Sequence, residues 1–465
     1  MDDGPTVAEP VDGLRERVAG EVLEPGDDGY DDARRVWNGM VDARPLAVVR
    51  ASSVEDVRHT VLVARDHGLT LAVRGGGHGV AGNGTVDGGI VLDLGALNAV
   101  RTDPGARTVT AGGGALLADV DAATAPHGLV VPLGVVSRTG AGGLTLGGGV
   151  GWLTRAYGLA ADNLLAADVV TATGEVVRAA DDGDPELLWG LRGGGGNFGV
   201  AVSLTFRAHP LPERVLAGTL LYGRPRWREV LAAYERWTRK MPEAMQTIVS
   251  VMTPPPELNA GDDPILMVGY VWALPDHDAG EAVVAELRAV APPDAEESGP
   301  ATWRDVQTAQ DAFLPPGSRA YWKNASFDRL DDEVIEVLVR RGTEQTWVGT
   351  GYDIHHMAGA YEREPAGGSP FPARSARFWL NVYGFWADPA DDAHHTAFVR
   401  GLAADMAPFA TGGLYVNFMG GSEVSDGAAW ARTIYGEQAT ARLVALKRRY
   451  DPENLFRLNH NIPPG

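Results

Sequence analysis

No cysteine occurs among the 465 residues. That removes disulfides, zinc–thiolate centres and thiol catalysis together. Basic residues are scarce: 40 Lys and Arg against 61 Asp and Glu leave a net charge of −21. A phosphate-tracking surface needs a basic stripe. The longest basic run is Lys447-Arg448-Arg449, which reads as a solvated helix face. Nucleic acid is therefore not expected as a partner. No apolar run reaches the roughly 18 residues a membrane helix needs, so no membrane association is expected either. The opening MDDGPTVAEPVDGL lacks a basic n-region and an apolar h-region. No signal peptide is expected from it, and a cytoplasmic location fits. His355 and His356 are adjacent; on a strand they point to opposite faces, so no metal site is expected.

Glycine, by contrast, is abundant, with 60 residues, and it clusters. The length exceeds what one core supports, so two domains are the natural expectation. From about Pro45 to Arg207 the pattern alternates. SVEDVRHTVLVARDHG reads as a helix with Ser53 as N-cap and Gly68 as stop. LTLAV, GIVLDL and GVAVSLTFRAH read as strands, and LLAADVVTATGEVVRA as a hairpin turned at Thr173-Gly174. After Pro210 the character changes. TIVSVMTPP, ILMVGYVWAL and RFWLNVYGFWAD read as antiparallel strands, with helices such as DEVIEVLVRR between them. The stretch Glu364–Ser375 reads as a surface loop. The last helix, ATARLVALKRRY, is ended by Asp451-Pro452.

Three glycine clusters dominate: Arg74-Gly-Gly-Gly-His78-Gly79, then Gly140 to Gly151, then Gly193 to Gly199. Glycine tolerates positive φ, so successive N–H groups can converge on one anion. Several such nests imply a large, multiply charged cofactor. Gly77-His78-Gly79-Val-Ala-Gly82 and Gly194–Gly199 both match G-x-G-x-x-G, but a strand follows each instead of a helix. The Gly-Lys-Ser/Thr of a P-loop is absent. Neither a nicotinamide dinucleotide on a Rossmann unit nor ATP is supported.

VRGGGHG, GVVSRTGAGGLTLGGGVGWLTRAYGLAADNL, LRGGGGNFGVAVS and the ending YDPENLFRLNHNIPP together resemble the berberine-bridge-enzyme-like family of FAD-linked oxidases, within the vanillyl-alcohol-oxidase superfamily. The resemblance covers about residues 35–207 and 410 to the end. It implies an α+β fold: a two-part FAD-binding domain, residues 1–207 and 411–465, with an antiparallel-sheet substrate domain inserted at 208–410.

The resemblance also implies roles. His78 is the expected attachment point of covalent FAD; a neutral imidazole is a competent nucleophile. Many relatives hold the flavin by a second, cysteine tether, whose place is taken here by Val136. Thr139 falls at the family's oxygen gate; being small, it implies access of O2 to the flavin. The expected cofactor contacts are Arg74, Gly75, Gly76, Gly77, His78, Gly79, Val136, Thr139, Gly140, Gly142, Gly143, Leu144, Gly147, Gly149, Gly151, Asn163, Gly199, Val200, Asn417, Asn459 and Asn461. The family's C-terminal Tyr-x-Asn-Tyr reads Tyr415-Val416-Asn417-Phe418 here, so the usual tyrosine base is missing. Asn381 and Tyr383, on one face of the RFWLNVYGFWAD strand, become candidates to orient substrate and accept a proton, the phenol pKa being lowered by its surroundings. His355 and Tyr435 are further catalytic candidates.

The implied activity is oxidation of a small organic substrate (a sugar, an alcohol, or a phenolic or polyketide intermediate of secondary metabolism) with O2 as electron acceptor. Two alternatives stay open: an oxygenase acting through a flavin–oxygen adduct, and a non-catalytic flavin-binding protein. No oligomeric state is implied.

Overall fold

The computed structural model describes residues 8–254, 263–420 and 427–465. The helix Val54–Asp66 begins where Ser53 Oγ accepts the Asp56 N–H, and it stops at Gly68, whose φ is 63°. Its buried residues Val57, Val61 and Ala64 cover a small sheet. In that sheet Ala47–Arg50 and Leu71–Arg74 both run parallel to Ile90–Asp93, and Glu21–Leu23 adds an antiparallel edge. The helix crosses between Ala47–Arg50 and Leu71–Arg74, the two strands that flank Ile90–Asp93.

A five-stranded antiparallel sheet follows, in the order Val100–Asp103, Thr108–Gly112, Val200–Arg207, Leu164–Val170, Val176–Ala180. Its hairpin turns at Gly174, with φ 77°. Beyond Pro210 the chain builds a third, seven-stranded antiparallel sheet. The spatial order is Ala295–Thr302, Arg214–Tyr222, Ile265–Trp272, Met245–Met252, Gly351–His356, Phe378–Trp386 and Arg319–Phe327.

Helices Trp227–Thr238, His277–Val290, Asp332–Glu344 and Asp392–Met406 share a core with one face of this sheet. Strand alternation sorts Phe378–Trp386 cleanly. Phe378, Leu380, Val382 and Trp386 enter that core. Trp379, Asn381, Tyr383 and Phe385 take the opposite face, where Trp379 and Phe385 pack against Tyr415 and Trp37. His355 and His356 separate in the same way: His355 lies by Phe418, His356 by Tyr234 and Phe378.

The last helix, Gly427–Tyr450, is broken by Gly436 at φ 76°. Leu443, Leu446 and Tyr450 join the core of the five-stranded sheet, and Leu455 and Phe456 join that of the first sheet. Lys447 corrects the reading of the basic run as a solvated face. Its side chain is fully buried, and Nζ donates to Asp451 Oδ2 (2.7 Å) and to the carbonyls of Asn197 and Phe456 (2.9 Å each). A charge removed from water needs this full set of partners. The Glu364–Ser375 stretch is also more than surface: Phe371 is buried against Tyr415, and Arg374 forms a buried pair with Asp162. Among the described residues no helix is long and apolar enough to cross a membrane, and no cluster of three or more potential ligands could hold a metal ion.

Candidate functional site

The three glycine clusters converge on one cleft. It is lined by Gly75–Gly79, by Val136 and Thr139–Gly147, and by Gly195–Ala201, with Val416–Met419 and Asn459–His460 closing it. Close backbone approach explains the glycines in its floor. A Cβ on Gly76 would meet Gly140 N at 2.5 Å, and one on Gly140 would meet Gly76 N at 2.4 Å. Other glycines leave bare backbone facing space: a Cβ on Gly79, Gly143 or Gly196 would meet nothing within 4 Å. Gly77, Gly195 and Gly199 have φ of 65°, 75° and 152°, which only glycine adopts freely. Buried polar atoms at the cleft also lack partners, namely Asn459 Oδ1 and His460 Nδ1. A buried unpaired acceptor implies a ligand group or water. A long cofactor rich in oxygen and N–H groups fits these walls.

His78 projects from the first cluster into the cleft. Its ring stacks on Trp37, with centroids 4.7 Å apart and planes at 17°. Burial lowers its pKa to about 4, so the imidazole is neutral near pH 7. Arg74 is differently employed. Its guanidinium pairs with Asp93 at 2.7 Å and donates to the carbonyls of Ala33 and Arg35. It braces the loop, and its charge is already satisfied.

The seven-stranded sheet closes the far side of the cleft with Trp322. Behind Trp322 and Phe418, on the same sheet face, lies a polar group. Tyr383 OH donates to Asp353 Oδ1 at 2.9 Å. Asn381 Oδ1, His355 Nδ1 and the Trp322 indole N–H are buried without a partner. Burial pushes the Asp353 pKa up to about 6, with hydrogen bonds from Ser250 and Tyr383 partly offsetting it. Asp353 is densely surrounded yet keeps some accessible surface, because one side borders open space. Burial and then the Asp353 charge raise the Tyr383 pKa well above its usual value. Burial also lowers His355 to about 4.

A family model described as FAD binding domain matches residues 45–180, and one described as Berberine and berberine like matches residues 414–463. The chain is 31% identical to (R)-6-hydroxynicotine oxidase from Paenarthrobacter nicotinovorans over 470 residues, covering 96% of this chain and 97% of that one. The chain belongs to the berberine-bridge-enzyme-like family of FAD-linked oxidases. The crystal structure of 6-hydroxy-D-nicotine oxidase from Arthrobacter nicotinovorans superposes with a TM-score of 0.84 at 29% identity, covering 96% of this chain and 98% of that one. Physcomitrella patens BBE-like 1 shares the fold, with a TM-score of 0.86 at 21% identity over 99% of this chain and all of that one. This berberine-bridge-enzyme-like chain is therefore an FAD-linked oxidoreductase, and its glycine cleft is where an FAD-binding domain is matched.

Within this family frame the expected contacts divide. Arg74, Gly75, Gly76, Gly77, His78, Gly79, Val136, Thr139, Gly140, Gly142, Gly143, Leu144, Gly147, Gly199, Val200, Asn417 and Asn459 line the cleft, as does Tyr435, one of the catalytic candidates. Gly149, Gly151, Asn163 and Asn461 do not. Gly149 and Gly151 are glycine for packing: a Cβ would meet Ala160 Cβ at 2.5 Å and Leu133 O at 1.9 Å respectively. Asn163 spends its side chain on the carbonyls of Tyr157 and Leu159 and on His209. Asn417 braces the second loop, donating to Leu144 O and Tyr415 OH. Tyr383 corrects the expectation of a lowered phenol pKa, since burial raises it and its partner is a carboxylate, not a cation.

Sequence reasoning missed Trp37, His460 and Asp353. Asp353 had a readable signal: in Gly-Tyr-Asp-Ile-His-His it alternates onto the same face as His355. Trp37 reaches His78, and His460 reaches the cleft, only through tertiary packing.

Proposed function

We propose that this protein is an FAD-dependent oxidase that holds FAD covalently through His78 and oxidises a small organic substrate, with O2 as acceptor. The observation that carries this reading is the single cleft that runs from the glycine loops and a neutral His78 to Trp322 of the inserted sheet. FAD, when bound there, supplies the hydride acceptor and the route for electrons to O2. Gly77, Gly143, Gly195 and Gly199 offer backbone for its polar groups. The substrate lies against Trp322 and Phe418, which present flat apolar surface and exclude water. Asn381 and His355, on the same sheet face, carry buried polar atoms that the protein leaves unpaired, and would take substrate groups that enter behind Trp322 and Phe418.

In an alcohol, the C–H bond gives up hydride as a proton leaves the neighbouring O–H. Phe418 cannot take that proton. Asp353 can, because a carboxylate poised near pH 6 is largely ionised at pH 7. Tyr383 relays it: the phenol accepts the substrate proton as its own passes to Asp353 Oδ1. Thr139 at the cleft wall leaves O2 a path.

The test compares the purified protein with its His78→Ala variant. Visible absorbance reads bound flavin, and acid precipitation reads covalent flavin. A pellet that stays yellow only with His78 present, and hydrogen peroxide released on substrate addition, are expected. Labelled oxygen appearing in the organic product would replace the oxidase by an oxygenase. A protein that takes up no flavin would end the reading.

A further inference from the structure

We propose that Trp37, clamped by the loop Asp311–Ala320 of the inserted domain, is a positioning residue for covalent capture of the flavin at His78; this rests on His78 being the attachment point. Glycines flank His78 on both sides, at Gly77 and Gly79, so the loop alone does not orient the imidazole. Trp37 does. Its ring lies 4.7 Å from the imidazole and nearly parallel to it, and its own N–H donates to Gly77 O at 3.0 Å.

Trp37 is in turn fastened to the inserted domain. Its indole N–H donates to Leu314 O at 3.0 Å, and the Gly317 N–H donates to Trp37 O at 2.9 Å. The neighbouring Asn38 amide spans both sides, donating to Val80 O at 2.7 Å and to Ala320 O at 2.9 Å. From the other flank, Asp311 accepts both the N–H and the Oγ–H of Ser137, beside Val136 in the cleft wall.

A stacked ring has one orientation and a free lone pair, which is what bond formation needs. In that step one C–H bond of the flavin 8α-methyl group breaks, an N–C bond to the imidazole forms, and the imidazole gives up its N–H proton. Two protons and two electrons thereby pass to the isoalloxazine ring. O2 then removes them as hydrogen peroxide. The imidazole carries positive charge as the bond forms, and the Asp311 carboxylate acts on His78 in the sense that favours that charge. The clamp therefore couples attachment to docking of the inserted domain, since the bonds to Leu314, Gly317 and Ala320 belong to that domain.

The experiment measures total and acid-stable flavin in purified holoprotein for wild type, Trp37→Leu, Trp37→Phe and Asp311→Asn. Trp37→Leu is expected to bind FAD but to lose about fivefold or more of the acid-stable fraction. Trp37→Phe, which keeps a stacking ring, should restore most of it. Asp311→Asn should also lower the fraction, and it decides the matter if Trp37→Leu binds no flavin. An unchanged acid-stable fraction in Trp37→Leu, or in Asp311→Asn where that variant decides, overturns the proposal. A wild-type pellet without flavin overturns the His78 reading itself, and the clamp with it.

Discussion

Replacing Asp353 by Asn tests the proton acceptor and the energetics of its burial in one variant. The folded state binds the Asp353 proton more tightly than the unfolded chain does, because burial raises the pKa from 3.8 to about 6. Stability contributed by the neutral carboxyl is therefore present at low pH and is lost as pH rises from about 4 through about 6. At about 1.4 kcal/mol per pKa unit, keeping the group ionised above pH 6 costs about 3 kcal/mol, less whatever the open side of the site recovers by hydration. Asn has the same shape and still accepts the Tyr383 O–H, without the charge. Urea unfolding should show Asp353→Asn more stable than wild type by about 1–3 kcal/mol at pH 8, with the two converging near pH 4. Turnover should fall by about 10²–10⁴. The wild-type kcat/KM should rise with pH through an inflection near 6, which the variant lacks. A variant less stable than wild type at pH 8, or one that keeps both rate and inflection, would refute the reasoning.

Tyr383→Phe removes the hydrogen bond that holds the Asp353 pKa down, so the acid limb of the pH–rate profile should move to higher pH and turnover should fall about 10²-fold or more. Gly140→Ala places a Cβ 2.4 Å from Gly76 N; the two loops must part, and purified protein should carry little flavin by visible absorbance. Lys447→Ala leaves Asp451 buried without its cation; chemical denaturation should show a loss of about 3–5 kcal/mol.

Much of this architecture was legible in the chain because its signals are local. The Ser53 cap, the Gly68 stop and the Gly174 turn are set by the conformations of single residues. The alternation in Phe378–Trp386 assigned each side chain to a face before any packing was known. Other strands were less legible. Arg214–Tyr222, Ala295–Thr302, Arg319–Phe327 and Gly351–His356 carry weaker patterns, and it is their register in the seven-stranded sheet that makes them strands.

The sequence by itself determined that three glycine loops could wall a binding site, that His78 stands in one of them, that no cysteine can form a tether, and that Phe418 cannot act as a base. Each follows from what a residue type can or cannot do. Tertiary structure alone decided the rest. It buried Lys447 against Asp451 and committed Arg74 to Asp93. It turned Gly149, Gly151 and Asn163 into packing residues. It set Tyr383 against Asp353 and Trp37 against His78. The last two pairs lie 30 or more positions apart in the chain, and a pKa depends on the charge and solvent a group meets in space, which no local pattern encodes.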